Sequence, residues 1–108
     1  MAALVVRQFD VCANPSSSTA SDAPFVCVLQ SHYLDGMDTV MVAPMIRGQA
    51  GATNTQVVVP IAFGGETYLL DVALMASIEG RNLRKSVGSV LDREFDIRRA
   101  LDRLFPGF

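Results

Sequence analysis

This chain of 108 amino acids has few residues that could act as a catalytic base, a reactive thiol or a metal ligand of the usual kind. They are His32, Cys12 and Cys27. A Ser/His/Asp site needs the histidine beside a nucleophilic serine, and the sequence has no G-x-S-x-G or comparable setting. We therefore interpret His32 as a surface turn residue. The two cysteines lack C-x-x-C spacing and a neighbouring histidine pair, which argues against metal binding and redox catalysis. We predict two free thiols in a cytoplasmic protein.

The acidic residues and the glycine-rich stretch do not predict an enzyme either. Asp35 and Asp38 fall in a turn signal, and a second acidic group, Asp92, Glu94 and Asp96, falls in a helical pattern. Paired-acid catalysis would need two such carboxylates in one cleft. Residues 48–51 lack the Lys-Ser/Thr of phosphate-binding loops. We predict a protein that is not an enzyme, with no cofactor and no metal.

Composition and charge set the class of protein. Half of the residues are hydrophobic and 19% are charged, which predicts one folded domain over residues 1–108. The net charge of −2 argues against direct nucleic-acid binding. Seven basic and five acidic residues fall in 79–108, which fits either a solvated helix face or a local contact surface. No apolar run approaches the ~18–20 residues of a membrane span. The high hydrophobic fraction predicts a homodimer.

Short apolar runs separated by turn signals predict several strands before a terminal helix. Gly64 and Gly65 predict a two-residue hairpin turn, Pro44 predicts a strand end or a bulge, and residues 72–78 fit either a short helix or a strand. Pairing the first two strands symmetrically about their loop places Cys12 opposite Cys27. The strands are expected at residues 4–12, 25–30, 39–43, 56–63 and 66–71. A long, mobile loop is expected at 14–24 and a second stretch of weak structure at 47–55.

The C-terminal helix is the clearest local pattern. Ser89 is the predicted N-cap, and Glu94 and Arg98 have the spacing of a favourable ion pair. Phe95 falls off the apolar face, so we expect its ring either to face a partner or to cap a barrel edge. The apolar face itself comprises Val90, Ile97, Leu101, Leu104 and Phe105. The fold class is therefore mostly β or α+β, a small antiparallel sheet or barrel with a C-terminal helix.

Several blocks of the sequence resemble the CcdB toxins of bacterial toxin–antitoxin modules. The most specific is the ending, DIRRALDRLFPGF, at residues 96–108, where an apolar residue follows a glycine. Pro106 stands where the best-known plasmid member has tryptophan. The other blocks are QFDV at 8–11, FVCVLQSHYLD at 25–35, MVAPM at 41–45, GGETY at 64–68 and MASI at 75–78.

The resemblance implies an SH3-like small β-barrel with a C-terminal helix, assembled as a homodimer. It also implies a poison of DNA gyrase, whose A subunit is engaged by the C-terminal residues Pro106, Gly107 and Phe108 and which is trapped on cleaved DNA. A cognate antitoxin with a disordered tail is implied as the second partner. Its contact surface is expected at Tyr33, Leu34, Asp102 and Phe105.

Two alternatives accompany this hypothesis. MazF and Kid toxins share the barrel and the dimer but cut RNA, a reaction that needs acid–base groups and cations facing the substrate. Arg7, Arg47 and His32 are the candidates for that role in the barrel portion. The other alternative is a detoxified relative that binds an antitoxin only.

Overall fold

The computed structural model describes residues 6–30, 38–48, 56–83 and 85–105 as an antiparallel sheet with a helix at its end. Within that part, seven strands form one sheet in the order β4-β5-β3-β2-β1-β7, and β6 also pairs with β3. The strands are β1 (Asp10–Ala13), β2 (Phe25–Val28), β3 (Thr39–Arg47), β4 (Val58–Phe63), β5 (Glu66–Asp71), β6 (Ala76–Glu79) and β7 (Gly88–Ser89), and the helix is α1 (Glu94–Leu104). The predicted fold class is confirmed.

The main core lies between one face of the curled sheet and α1. Strand alternation places Val11, Cys27 and Ala43 side by side on this face, since Cys27 pairs with both of the others. From α1, Ile97 and Ala100 are fully buried against the same cluster. The sheet is therefore a half-barrel that the helix closes on one side.

A smaller cluster covers the other face of the sheet. It is built around Val26, Val28 and Val42, with Leu83 packed over them from the segment after β6. Burial on both faces explains the apolar run in β2, where a one-sided strand would alternate with polar residues.

The predicted position of the cysteines was wrong by one residue. Cys12 pairs with Val26, and Cys27 pairs with Val11. Because side chains alternate along a strand, this shift places the two thiols on opposite faces, one in each apolar cluster. Both are buried and free, as predicted.

The first strand begins later than predicted because residues 7–10 form a turn. The Asp10 amide donates to the Arg7 carbonyl (3.0 Å), and the Arg7 amide donates to the Asp10 carboxylate (2.8 Å). Phe9 has a φ of 71°, a left-handed conformation that is rare for a bulky residue, although its side chain is buried in the core.

Hydrogen bonds hold the loop at residues 14–24 together. The sequence predicted a mobile loop and gave no sign of these bonds. The Asn14 side-chain amide donates to the hydroxyl of Thr19 (3.0 Å) and the carbonyl of Ala23 (2.8 Å). The Ala23 amide donates to the Thr19 carbonyl (2.8 Å), and Ala23 is buried.

Pro44 does not end its strand, contrary to the prediction. β3 continues to Arg47, and on one side its partner changes from β6 at Val42 to β5 at Met45. Pro44 falls in the interval between these partners, where a missing N–H breaks no ladder. Residues 72–78 adopt both of the conformations left open, a 3₁₀ turn at Val72–Leu74 and then β6.

The Gly64-Gly65 hairpin is confirmed. Phe63 pairs with Glu66, and the φ angles of the two glycines are 61° and 84°. Positive φ at both central positions matches the right-handed twist of the flanking strands.

Candidate functional surface

Helix α1 positions the surface that the sequence analysis singled out. Ser89 does not cap α1, because it lies in β7 and its hydroxyl accepts from the Leu91 amide (3.2 Å). That bond starts a 3₁₀ turn at Leu91–Arg93, and α1 follows it. The predicted ion pair between Glu94 and Arg98 is present at 2.8 Å.

The exposed face of α1 carries an uncovered aromatic ring. Phe95 is 72% exposed, as its place off the apolar face predicts, while Ile97 is fully buried. The guanidinium of Arg99 lies 5.7 Å from the centre of the Phe95 ring, within cation–π range.

Two of the predicted partner-contact residues lie at the end of α1. Asp102 is exposed, and Phe105, just after the helix, is 44% exposed. The placement of Phe105 on the buried face was therefore only partly right. These residues are three positions apart on neighbouring turns, so they belong to one exposed surface.

The remaining predicted contact residues, Tyr33, Leu34, Pro106, Gly107 and Phe108, lie outside the described residues, as does His32.

Arg47, one of the cations considered for RNA cleavage, is engaged in an ion pair within the sheet. Arg47 pairs with Glu66 at 3.3 Å, and the same Glu66 oxygen accepts from the Tyr68 hydroxyl at 2.8 Å. This hydrogen bond raises the pKa of Tyr68, so the phenol stays protonated and cannot act as a base near neutrality. Arg47 on β3 lies directly opposite Tyr68 on β5. The contacts that both side chains make with Glu66 are therefore those of ordinary neighbours in a sheet.

In the described part of the chain, no group of three or more His, Cys, Asp or Glu side chains is placed to hold a metal ion. No helix in the same ranges is long and apolar enough to cross a membrane.

Sequence reasoning missed a groove between α1 and the edge strand β4. Its volume is about 220 Å³. Three arginines line it from the helix side: Arg93, Arg99 and Arg103. The only sequence signal was the basic excess of residues 79–108, because the other wall lies some forty residues earlier in the chain.

Comparison with solved structures bears on the fold. Among solved structures, 36 chains match this protein. One of them, described as the crystal structure of an Mtb toxin, superposes with a TM-score of 0.64 at 17% sequence identity. The match covers 75% of this chain and 91% of that chain, and at this identity it establishes a shared fold.

Comparison by sequence gives the family. No curated protein matches the chain. The model of the CcdB protein family matches residues 8–107, which is nearly the whole sequence. That span contains the resemblance blocks noted above, except for the final Phe108. The chain belongs to the CcdB family.

Proposed function

We propose that this protein is the toxin of a bacterial toxin–antitoxin module and acts in the cytoplasm as a poison of DNA gyrase. The observation that carries the proposal is the family match over residues 8–107, which extends into the C-terminal segment. In this proposal, Pro106, Gly107 and Phe108 bind the gyrase A subunit and trap the enzyme on cleaved DNA.

The packing of α1 supports a role for this segment outside the core. Helix burial is greatest at Ile97 and Ala100, whereas Phe105 is 44% exposed. Core packing therefore weakens before Pro106, and the last three residues are expected to contribute little to stability.

The proposed second partner is an antitoxin that covers Tyr33, Leu34, Asp102 and Phe105. The exposed side chains of Asp102 and Phe105 offer a charge and an aromatic surface on adjacent turns. A disordered antitoxin segment that folds on binding can wrap a surface of this kind.

We also propose that the protein is a homodimer. Among the described residues, Leu74, Val87, Leu91, Phe95 and Phe105 are large hydrophobic side chains that remain exposed. A homodimer interface would cover side chains of this kind. Sedimentation equilibrium at micromolar concentration should give twice the chain mass of 11.6 kDa, and a single monomer species would contradict it.

The function is tested with purified protein, gyrase and supercoiled DNA, and separately with RNA. Gyrase-dependent cleaved DNA is expected, and Phe108→Ala should reduce it. Thr67→Ala is the control, because it truncates an exposed side chain on β5 that belongs neither to a proposed partner surface nor to the proposed dimer interface. Cut RNA would favour a ribonuclease, and no cleavage in either assay would favour a relative that only binds an antitoxin.

A further inference from the structure

The groove between α1 and β4 concentrates positive charge on an acidic protein. The three arginines outnumber the one carboxylate that lines the groove, Asp96, while the whole chain has a formal charge of −2. A local positive field on a chain of opposite net charge is a feature of specific contact surfaces.

Two of the arginines are bound to the edge of the sheet. Arg93 donates to the Pro60 carbonyl (2.6 Å) and pairs with Asp96 (3.0 Å). Arg103 donates to the Gln56 carbonyl (3.4 Å). These two carbonyl oxygens, in β4 and just before it, are therefore already hydrogen-bonded and less available to a further strand. Pro60 also has no N–H with which to pair. A partner that added a strand to β4 is therefore disfavoured.

Arg99 has a different environment. It is exposed, and within the described ranges it forms no ion pair and bonds no main-chain carbonyl. Its guanidinium lies over the Phe95 ring. Protection of the strand edge therefore does not account for Arg99. Arg99 lies between Arg93 and Arg103 in the chain. The N–H donors of its guanidinium are available to a ligand.

We propose that this groove binds an extended acidic segment of a partner protein. Arg99 and Arg103 are one helical turn apart, which spaces them by about 6 Å along the axis. Alternate side chains of an extended peptide are spaced by about 6.6 Å, so two carboxylates at such positions match the spacing of the two arginines along the helix. Arg103 donates to the Gln56 carbonyl through Nη1 alone, which leaves its other donors for a carboxylate. Arginine binds carboxylates in bidentate geometry, which favours this pairing.

Peptide is favoured over nucleic acid by the surroundings of the groove. Pro60 and Ala100 line it beside the arginines and offer apolar contact to the small side chains of a peptide, which a phosphate backbone does not have. Arg99 lies three residues before Asp102 on α1, so the groove borders the surface proposed for the antitoxin. It contains none of the residues proposed to contact gyrase or the antitoxin, and its binding of an acidic segment is tested separately from both proposals.

The probe is a fluorescent octapeptide in which glutamate alternates with alanine, and its control carries glutamine in place of glutamate. Fluorescence anisotropy is measured with the full chain at low and at physiological ionic strength. The acidic peptide should bind saturably, more weakly as salt rises, and the glutamine peptide should not bind. Arg99→Glu should weaken binding by about tenfold or more.

The matched control is Arg81→Glu, which makes the same charge change on an exposed arginine outside the groove. It should alter binding by less than about twofold. Urea denaturation of Arg99→Glu should match the wild type, and Arg99→Gln is the second variant if the reversal prevents folding.

Three results would overturn the inference. The first is the absence of saturable binding to the wild type. The second is an equal loss in Arg99→Glu and Arg81→Glu, which would indicate a general charge effect. The third is a single-stranded oligothymidylate that binds more tightly than the peptide and depends on Arg99, which would assign the groove to nucleic acid.

Discussion

The two cysteines show how a one-residue register decides the environment of a side chain. Burial raises the pKa of Cys12 to about 11 and the pKa of Cys27 to about 12, and the charge of Asp10 adds to both shifts. Since the thiolate is the reactive form, both thiols should be inert in the folded protein.

Thiol titration at pH 8 tests this expectation. The native protein should react slowly with a thiol reagent, and the denatured protein should react at once with two equivalents. Ser17→Cys is the positive control, because it places a thiol at an exposed loop position. Rapid reaction of the native wild type, or no reaction after denaturation under non-reducing conditions, would contradict the prediction.

Cys27 also predicts how stability depends on pH. Its folded pKa of about 12 lies above the ordinary value of 9.0, so between these values the unfolded chain loses a proton that the folded chain keeps. The free energy of unfolding should therefore fall as pH rises through this window, by up to ~1.4 kcal/mol per pH unit for one proton. Below pH 9 this contribution is constant.

The variant Cys27→Ala isolates that contribution, because the other titrating groups remain in both proteins. Urea denaturation from pH 8 to pH 11 should show a shallower decline for Cys27→Ala than for the wild type. Identical slopes would show that the thiol does not carry the effect.

At the scale of elements, the turn of the β4–β5 hairpin requires glycine for its backbone conformation and not for lack of space. Gly64 and Gly65 have positive φ, and a Cβ added at either position would meet no atom within 4 Å. Gly65→Ala should therefore cost about 1–2 kcal/mol, since left-handed backbone is unfavourable for alanine. Gly64→Asn should cost less, because asparagine tolerates this conformation.

Gly80→Ala is the control for these substitutions. Its φ is not in the left-handed range and its nearest neighbours lie at ordinary contact distances of 3.4 and 3.5 Å. Its free energy of unfolding should stay within about 0.5 kcal/mol of the wild type. Equal costs at Gly65 and Gly80 in urea denaturation would refute the conformational explanation.

Helix α1 allows a paired test of its two faces. Ile97→Ala should destabilise the protein by about 2–5 kcal/mol, because it leaves a cavity in the main core. Phe95→Ala removes a larger side chain, yet should change stability by no more than about 0.5 kcal/mol, because that side chain is 72% exposed. Both are compared by urea denaturation at a protein concentration at which sedimentation shows only the monomer, since the proposed dimer would cover Phe95 and add a concentration-dependent term. A larger loss for Phe95→Ala would show that its ring is buried in solution.

Features that depend on neighbouring residues were predictable from the sequence, and features set by long-range pairing were not. The hairpin at Gly64 and Gly65 and the ion pair from Glu94 to Arg98 follow from local spacing. The left-handed φ of Phe9 and the continuation of β3 through Pro44 depend on which strands lie alongside. Ser89 has the residue type of an N-cap, but its pairing in β7 delays the helix.

At the scale of the whole molecule, the candidate site also combines features that local sequence predicts with features that depend on long-range packing. The exposed positions of Asp102 and Phe105 agree with a contact surface on α1, and the family resemblance identified that region from the sequence. The arginine groove could not be predicted, because Arg99 gains its neighbours only when β4 packs beside the helix. The basic excess of residues 79–108 indicated a charged region without locating it.

The C-terminal tail separates stability from function in the whole molecule. Deletion of residues 106–108 should lower the free energy of unfolding by no more than ~1 kcal/mol, the range of surface changes and a lost cap. If the tail binds gyrase, the same deletion should abolish growth inhibition, because Gly107 permits close backbone approach and Phe108 buries against the partner. Pro106→Trp should strengthen inhibition, since an aromatic anchor contributes about 2 kcal/mol, or about thirtyfold in affinity. Growth inhibition and gyrase-mediated DNA cleavage are compared for the wild type, the truncation and Pro106→Trp. A folded truncation that is as toxic as the wild type would eliminate the gyrase mechanism and favour RNA cleavage.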